Sequence, residues 1–422
     1  MRTELIFHGT GASSCLPNIS CLTLPPEEYD DDEEGRCEAC HQGANPWDHA
    51  EPKEALKNRR RNTGAVLRVT QDDGSQVTIV IDAGKSFVAA ALEWFPKHGL
   101  RKIDAVVLSH AHADAMNGLD DLRCWTLDGT MQDHVDIYLS QKTFDEVERT
   151  FPYLVNKGMA TGGGSVPEFQ WNIISEFVEF DVQGVNITPL PVHHGRYFSP
   201  VIENPFPMTP PLSPPLSRSS STQTFPFPSQ ALSSSPTPPV VFTSGYFPRS
   251  RPPSPVIPQP YIAFAFLLPN ILYISDVSLI PPSLFSHLAS LPEETKPRVS
   301  VLDCLRPENH TSHFGITEAV RAAHELGTEK NYLTGFMCGG QGKWISHRGW
   351  LRVCERVSDE KELEDFTEWT GSEGERRRCE RAIEMGRKGI EEGKERAWIR
   401  PAFDGMRVVI DEHGRVSDGT YD

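Results

Sequence analysis

The stretch that most narrows what this chain can fold into is Ala105 to Arg123, AVVLSHAHADAMNGLDDLR. Ala105-Val106-Val107-Leu108 reads as a buried strand. It runs directly into Ser109-His110-Ala111-His112-Ala113-Asp114. Side chains alternate along an extended chain, so His110, His112 and Asp114 project to one side if the turn stays extended. Two imidazoles and a carboxylate converging there suit a transition metal such as zinc. Met116-Asn117-Gly118-Leu119 then starts an expected helix carrying Asp120 and Asp121. An isolated HxH is as often a polar loop. Here the preceding strand and the further donors downstream favour the metal.

Those donors come by the same device, an apolar strand ending in a ligand. Val185 to Val192 delivers His193-His194-Gly195, one of which completes a three-histidine set with His110 and His112. Ile271 to Ser275 delivers Asp276, a carboxylate able to bridge two metals. Val299 to Cys304 is another buried strand, and His310-Thr311-Ser312-His313 follows it, opening a helix from Ile316 to Leu326. A histidine in that place, beside a bound phosphate, can protonate a leaving group. Asp82, at the end of Val77 to Ile81, is placed either to orient a ligand histidine or to form a turn. The hairpin Ala65–Val69 and Val77–Ile81, the opening strand Thr3 to Phe7 and the closing strand Ala402 to Ile410 complete the expected framework.

The cysteines form a second group. Cys37-Glu38-Ala39-Cys40 is a CxxC, and with Cys21 it makes a candidate structural zinc site, His41 being the candidate fourth ligand; two unpaired cysteines in a surface loop are the equal alternative. Nine cysteines at irregular spacing do not read as a disulfide framework. The basic run Lys57 to Asn62, KNRRRN, is either a solvated turn or a phosphate-facing patch. A net charge of −17 argues against long nucleic acid as a ligand. No apolar stretch is long enough to cross a membrane, and the first residues do not read as a secretory signal, so the expected place is the cytoplasm, with the nucleus allowed.

Residues 203–260 are rich in proline and serine and read as a disordered insertion within one domain spanning 1–422. Residues 356–400 are highly charged and read as solvated helix before the closing strand.

Taken together, LIFHGTGAS, IDAGKSF, LSHAHADAMNGLDDLR, PLPVHHGR, ILYISDVS, HTSHFGITEA and PAFDGMRV resemble the metallo-β-lactamase superfamily. More closely they resemble its PhnP-like cyclic phosphodiesterase branch and related uncharacterised fungal and plant hydrolases, with tRNase Z more distant. The resemblance implies an α/β fold, a four-layer αββα sandwich with metals at one edge of the two sheets. It implies His110, His112, Asp114, His194 and Asp276 as metal ligands, one or two zinc ions with manganese as the alternative, and Asp114 and His313 as catalytic groups. The CxxC resembles an accessory zinc loop of that branch. Two positions depart: Ala115 fills the sixth place of HxHxDH, and Met337-Cys338 stands where a final ligand histidine is expected. Cys338 is the candidate replacement there, and the second metal site is expected to be reduced.

The function implied is metal-dependent hydrolysis of a small cyclic or nucleotide phosphodiester. A thioester or lactam hydrolase on the same fold and an inactive zinc-stabilised scaffold are the alternatives. The expected partner is a small phosphodiester substrate, with no membrane, and a homodimer is one assembly the reading allows.

Overall fold

The computed structural model describes residues 1–25, 36–197, 258–339, 343–358, 369, 371–390 and 395–421. The chain divides into one unit of Met1–Arg196 with Pro260–Asp422 and a second of Tyr197–Gln259. The expected insertion at 203–260 falls almost wholly outside the described residues, as do the acidic run 27–34 and parts of 356–400.

Strands follow in chain order as β1 Arg2–Gly9, β2 Gly64–Thr70, β3 Gln76–Ile81, β4 Ala105–Val107, β5 Val135–Leu139, β6 Phe169–Ile173, β7 Phe180–Val182 and β8 Val185–Arg196. Then come β9 Pro260–Leu268, β10 Ile271–Ile274, β11 Val299–Asp303, β12 Lys330–Thr334, β13 Ile399–Pro401, β14 Arg407–Ile410 and β15 Val416–Ser417. They form an eight-stranded sheet, β15-β14-β1-β2-β3-β4-β5-β6, and a seven-stranded sheet, β13-β12-β11-β10-β9-β8-β7. The hairpin of β2 and β3 pairs Ala65 with Ile81 and Thr70 with Gln76. Its turn uses Gly74 at φ +84, a conformation open to glycine without cost.

Strand alternation sorts the apolar residues into layers. Leu5, Phe7, Leu67 and Ile79 meet Phe266, Tyr273, Val301 and Tyr332 between the sheets. Ile6, Val66, Val80 and Val106 face outward onto Phe87, Ala91 and Phe95 of the helix Phe87–His98. On the far side, Leu272, Ile274, Leu302 and Leu333 receive Leu284, Ile316, Val320, Val353 and Ile383 from four helices. Helix, sheet, sheet, helix is the αββα sandwich. Each fully buried large side chain in these layers contributes about 1.5–3 kcal/mol.

Two expectations need correction. The helix expected from Met116 begins earlier, as a single turn Ala113–Met116, so Asp114 is helical and not extended. The charged segment before the closing strands is not simply solvated. Its helix Glu373–Arg387 buries Cys379, Ala382, Ile383 and Gly386, a stripe at helical spacing, against the outer core. Among the described residues, no helix is long and apolar enough to cross a membrane.

Candidate metal centre

The C-terminal ends of β4, β10 and β11 point to the same edge as the end of β8, and that edge gathers the titratable groups. His110, His112 and His194 offer ligand atoms within 4.8 Å of one another. His194, Asp276 and His313 do the same, so two triads share His194. The three ring pairs of the first triad lie 4.6, 4.8 and 4.9 Å apart between centroids.

Backbone packing sets this geometry. Gly84 lies so close under the single-turn helix that a Cβ there would come 1.8 Å from the Asp114 carbonyl oxygen. Asp82 adopts φ +59, uncommon for a residue with a side chain. That turn aims its carboxylate at Ser109, accepting from the Ser109 amide and hydroxyl, each at 2.7 Å. The Ser109 hydroxyl, having donated to Asp82, accepts from His110 Nδ1 at 2.8 Å. This relay fixes the proton on Nδ1 and leaves a bare lone pair on His110 Nε2. That nitrogen is buried and without a hydrogen-bond partner. An orphaned imidazole nitrogen aimed into a histidine cluster is what a metal ligand requires, because the buried atom otherwise has an unmet hydrogen-bonding need.

The other rings are fixed in the same way. His194 donates from Nδ1 to the Ser312 carbonyl at 2.7 Å, turning Nε2 toward His112 Nδ1 at 3.1 Å. His112 stacks flat on Tyr261, 4.7 Å between centroids, and the Tyr261 hydroxyl accepts from the Ala111 amide. His313 donates from Nδ1 to Asp303 at 2.8 Å, with Asp276 at 3.8 Å. Burial opposes charge on His313, but Asp303, then Asp276 and Asp114, outweigh it and raise the imidazole to about 9. Burial, then the charges of His194 and His112, hold His110 well below the usual histidine range. Burial raises Asp82 well above the usual carboxylate range, the Ser109 hydrogen bonds opposing it and Asp276 and Asp114 adding to it. The donor set of imidazoles and carboxylates fits zinc, and manganese more loosely.

The structure therefore brings His110, His112, His194, Asp276 and His313 together. Asp114 stands beside them, outside both triads, its carboxylate accepting from the Ser13 hydroxyl. His193 turns away, its backbone pairing with Leu279. The sequence reading passed over Asp303, Ser109, Ser13 and Tyr261. Asp303 carried a signal, since it ends an apolar strand as Asp82 and Asp276 do.

The second cluster corrects two expectations at once. Cys338 does not join the histidines. It packs with Cys21, Cys37 and Cys40, all four buried. Its sulfur lies 3.5 Å from that of Cys21 and 3.3 Å from that of Cys37. Sulfurs around one tetrahedral zinc lie about 3.8 Å apart, from a Zn–S bond of about 2.3 Å. His41 is not part of this group. The Asn18 amide donates to Cys40 at 3.2 Å. Hydrogen bonds from Cys338 and Cys37 lower the Cys40 thiol to about 5, while Cys37, bonded to Cys338 and Cys40, is driven up. Four convergent thiols, one already favouring thiolate, fit a closed structural zinc site.

The basic run Lys57 to Asn62 is neither solvated nor phosphate-facing at its centre. Arg60 is 2% exposed, donating to Thr10, to the Ala402 carbonyl and to His347, with Phe336 under its guanidinium. Arg61 pairs with Glu93 at 2.7 Å, and Arg59 donates to the Gly43 carbonyl.

The fold is that of the metallo-β-lactamase sandwich, and residues 77–207 match the family described as the beta-lactamase superfamily domain. Among solved structures, a diphosphatase from the PhnP family superposes over 97% of this chain and 97% of its own, at a TM-score of 0.52 and 18% identity. YhfI from Bacillus subtilis, a metallo-β-lactamase fold protein, is 11% identical over 97% of this chain and 99% of its own, at a TM-score of 0.46. An octanoyltransferase of Porphyromonas gingivalis is 26% identical over 198 residues, 46% of this chain. The chain spans only 31% of the length of that curated relative.

Proposed function

We propose that the protein is a metal-dependent phosphodiesterase acting on small cyclic or nucleotide phosphodiesters. The observation that carries this reading is the pair of triads sharing His194, with His110, His194 and His313 each held in one tautomer by a partner behind it. His110, His112 and His194 would hold one ion, with Asp276 as the carboxylate available beside them. A bound divalent ion of this kind acidifies water and polarises a phosphoryl oxygen.

The remaining work falls to the chain. Asp114, anchored by Ser13, and Asp276 accept hydrogen bonds from an attacking water and orient it. His313 holds a proton at Nε2 for the departing oxygen, because Asp303 fixes Nδ1–H and stabilises the imidazolium. The diphosphatase of the PhnP family, whose fold this chain shares, lends support to phosphoryl chemistry. A net charge of −17 favours small substrates over long polyanions.

One observation favours a second reading, a zinc-stabilised scaffold with weak turnover. Cys338 is committed to the thiol cluster, so the end of β12 supplies no side chain to the second metal position. Hydrolysis of bis(4-nitrophenyl) phosphate by the zinc- or manganese-loaded protein separates the two. The enzyme reading expects turnover abolished by His110→Ala. The scaffold reading expects a rate that ignores the substitution.

A further inference from the structure

The loop from Leu305 to Gly315 runs outward from the histidine cluster and is pinned along its length. Leu305 N–H donates to the Phe314 carbonyl, His310 N–H to the His313 carbonyl, and Met337 N–H to the Leu305 carbonyl. Arg306 bridges Gly315, whose missing side chain lets the 308–309 backbone approach to 2.6 Å of a Cβ position. Such a loop is rigid enough to preorganise a binding group.

Arg306 is unusual within it. It is half-buried, its Nε is enclosed without a partner, and its Nη2 makes only a 3.4 Å contact to the Asn309 carbonyl. No carboxylate pairs with it among the described residues. Glu308, two residues on, pairs instead with Arg381 at 3.2 Å. In a chain of net charge −17, a half-buried guanidinium without a counter-ion needs an explanation. Beside it, His310 is exposed, with Nδ1 held by Ser312 at 3.0 Å. The Arg306 contact to the Asn309 carbonyl sets the guanidinium against the residue next to His310. The rings step outward from the cluster: His194 to His313 is 4.8 Å and His313 to His310 is 5.9 Å.

We propose that Arg306 and His310 form an anion subsite that holds a second phosphoryl group of the substrate, beside the one on the histidine cluster. This rests on the phosphodiesterase reading and narrows its substrate to diesters carrying a diphosphate, such as nucleoside diphosphate esters. The guanidinium fork matches two phosphate oxygens, and enclosure strengthens the contact. The loop's hydrogen bonds hold the fork in place before the ligand arrives.

The test compares ligands that differ by one phosphoryl group. Calorimetry on the zinc-loaded full-length protein measures ADP against AMP. The wild type should bind ADP about tenfold more tightly than AMP, the worth of one charge-assisted hydrogen-bonded pair. Arg306→Gln should bring the two within about twofold, and Arg306→Lys should fall between. Arg321→Gln, on the exposed side of the following helix, should keep the wild-type ratio. Turnover of diadenosine diphosphate relative to bis(4-nitrophenyl) phosphate should fall about tenfold in Arg306→Gln, through KM. An ADP-to-AMP ratio unchanged by Arg306→Gln in a protein that melts normally overturns the subsite, whatever the protein hydrolyses. Absence of all turnover with the ratio still sensitive to Arg306 would instead count against the hydrolase reading and leave the subsite standing.

Discussion

Two clusters of side chains that could hold a metal sit in one sandwich, and they are built on opposite plans. The thiol cluster is closed: four cysteines of one kind, all buried, from two short N-terminal helices and the segment that follows β12. The histidine cluster is open: His112 is exposed, Asp276 and His313 are half-buried, and the donors are mixed. His110, His194 and His313 there are each backed by a hydrogen-bond partner, and the Asn18 amide donates to Cys40 in the thiol cluster. A closed set satisfies a metal completely and contributes to stability. An open set with oriented ligands leaves room for water and substrate. The difference in plan is the basis for assigning chemistry to one cluster and fold maintenance to the other.

Substitutions should separate the two plans. His110→Ala should reduce phosphodiester turnover by about three orders of magnitude, since it removes the ligand with the orphaned nitrogen, while the melting temperature moves little. Cys37→Ser should do the reverse. It should cost about 3 kcal/mol or more, because metal binding to such a site is folding free energy, and this is read as an earlier thermal midpoint with one fewer zinc per chain. A Cys37→Ser protein as stable as the wild type would break the comparison.

A third outcome concerns His8, which supports the open cluster from behind by donating from Nε2 to the Asp82 carbonyl at 3.1 Å. Burial lowers His8 to about 4, the hydrogen bonds to Asp82 and Ile81 opposing it. Its folded pKa lies below the unfolded one, so the unfolded chain binds the extra proton in the window between. The neutral form's stabilisation is present above pH ~6.5 and is lost as pH falls toward about 4, worth about 3 kcal/mol. Asp404, raised to about 6 chiefly by burial, acts in the opposite sense, losing stability as pH rises from about 4 to 6. Denaturant titrations of wild type and His8→Asn at pH 7 and pH 4 isolate the His8 part as the difference between the two proteins. An identical pH response in both would remove His8 from the account.

Smaller effects test the supporting groups. Asp303→Asn should lower turnover about 10–100-fold, the usual result of releasing the partner behind a site histidine. Ser13→Ala should lower it about tenfold, because Asp114 loses its anchor. If either leaves kcat intact, that group only supports the fold.

Much of this architecture was legible in the chain because each strand advertises itself locally. The β2–β3 hairpin alternates cleanly, β4 and β10 lead within a few residues to members of the cluster, and β8 carries His194 near its end. Local signals stop where partners are distant. Cys338 and Cys37 are separated by 301 residues, and nothing near Cys338 says that it belongs with the thiols and not with the histidines. Asp114 lost its extended placement because Gly84 pulls the following turn into a helix, a contact between two loops. Arg60 looked like surface because its run is basic, yet Thr10, Phe336 and Ala402 enclose it from three other parts of the chain. The stripe Cys379, Ala382, Ile383 is sparse enough among charges that only the packed structure reveals it as core.

The most direct test of the central claim is metal content per chain, by elemental analysis, for the wild type, His110→Ala and Cys37→Ser, each assayed on bis(4-nitrophenyl) phosphate. The account predicts that His110→Ala loses open-site metal and turnover while keeping the thiol-bound zinc, and that Cys37→Ser loses that zinc but, where folded, still turns over. Metal confined to the thiols, with any hydrolysis indifferent to His110→Ala, would contradict it.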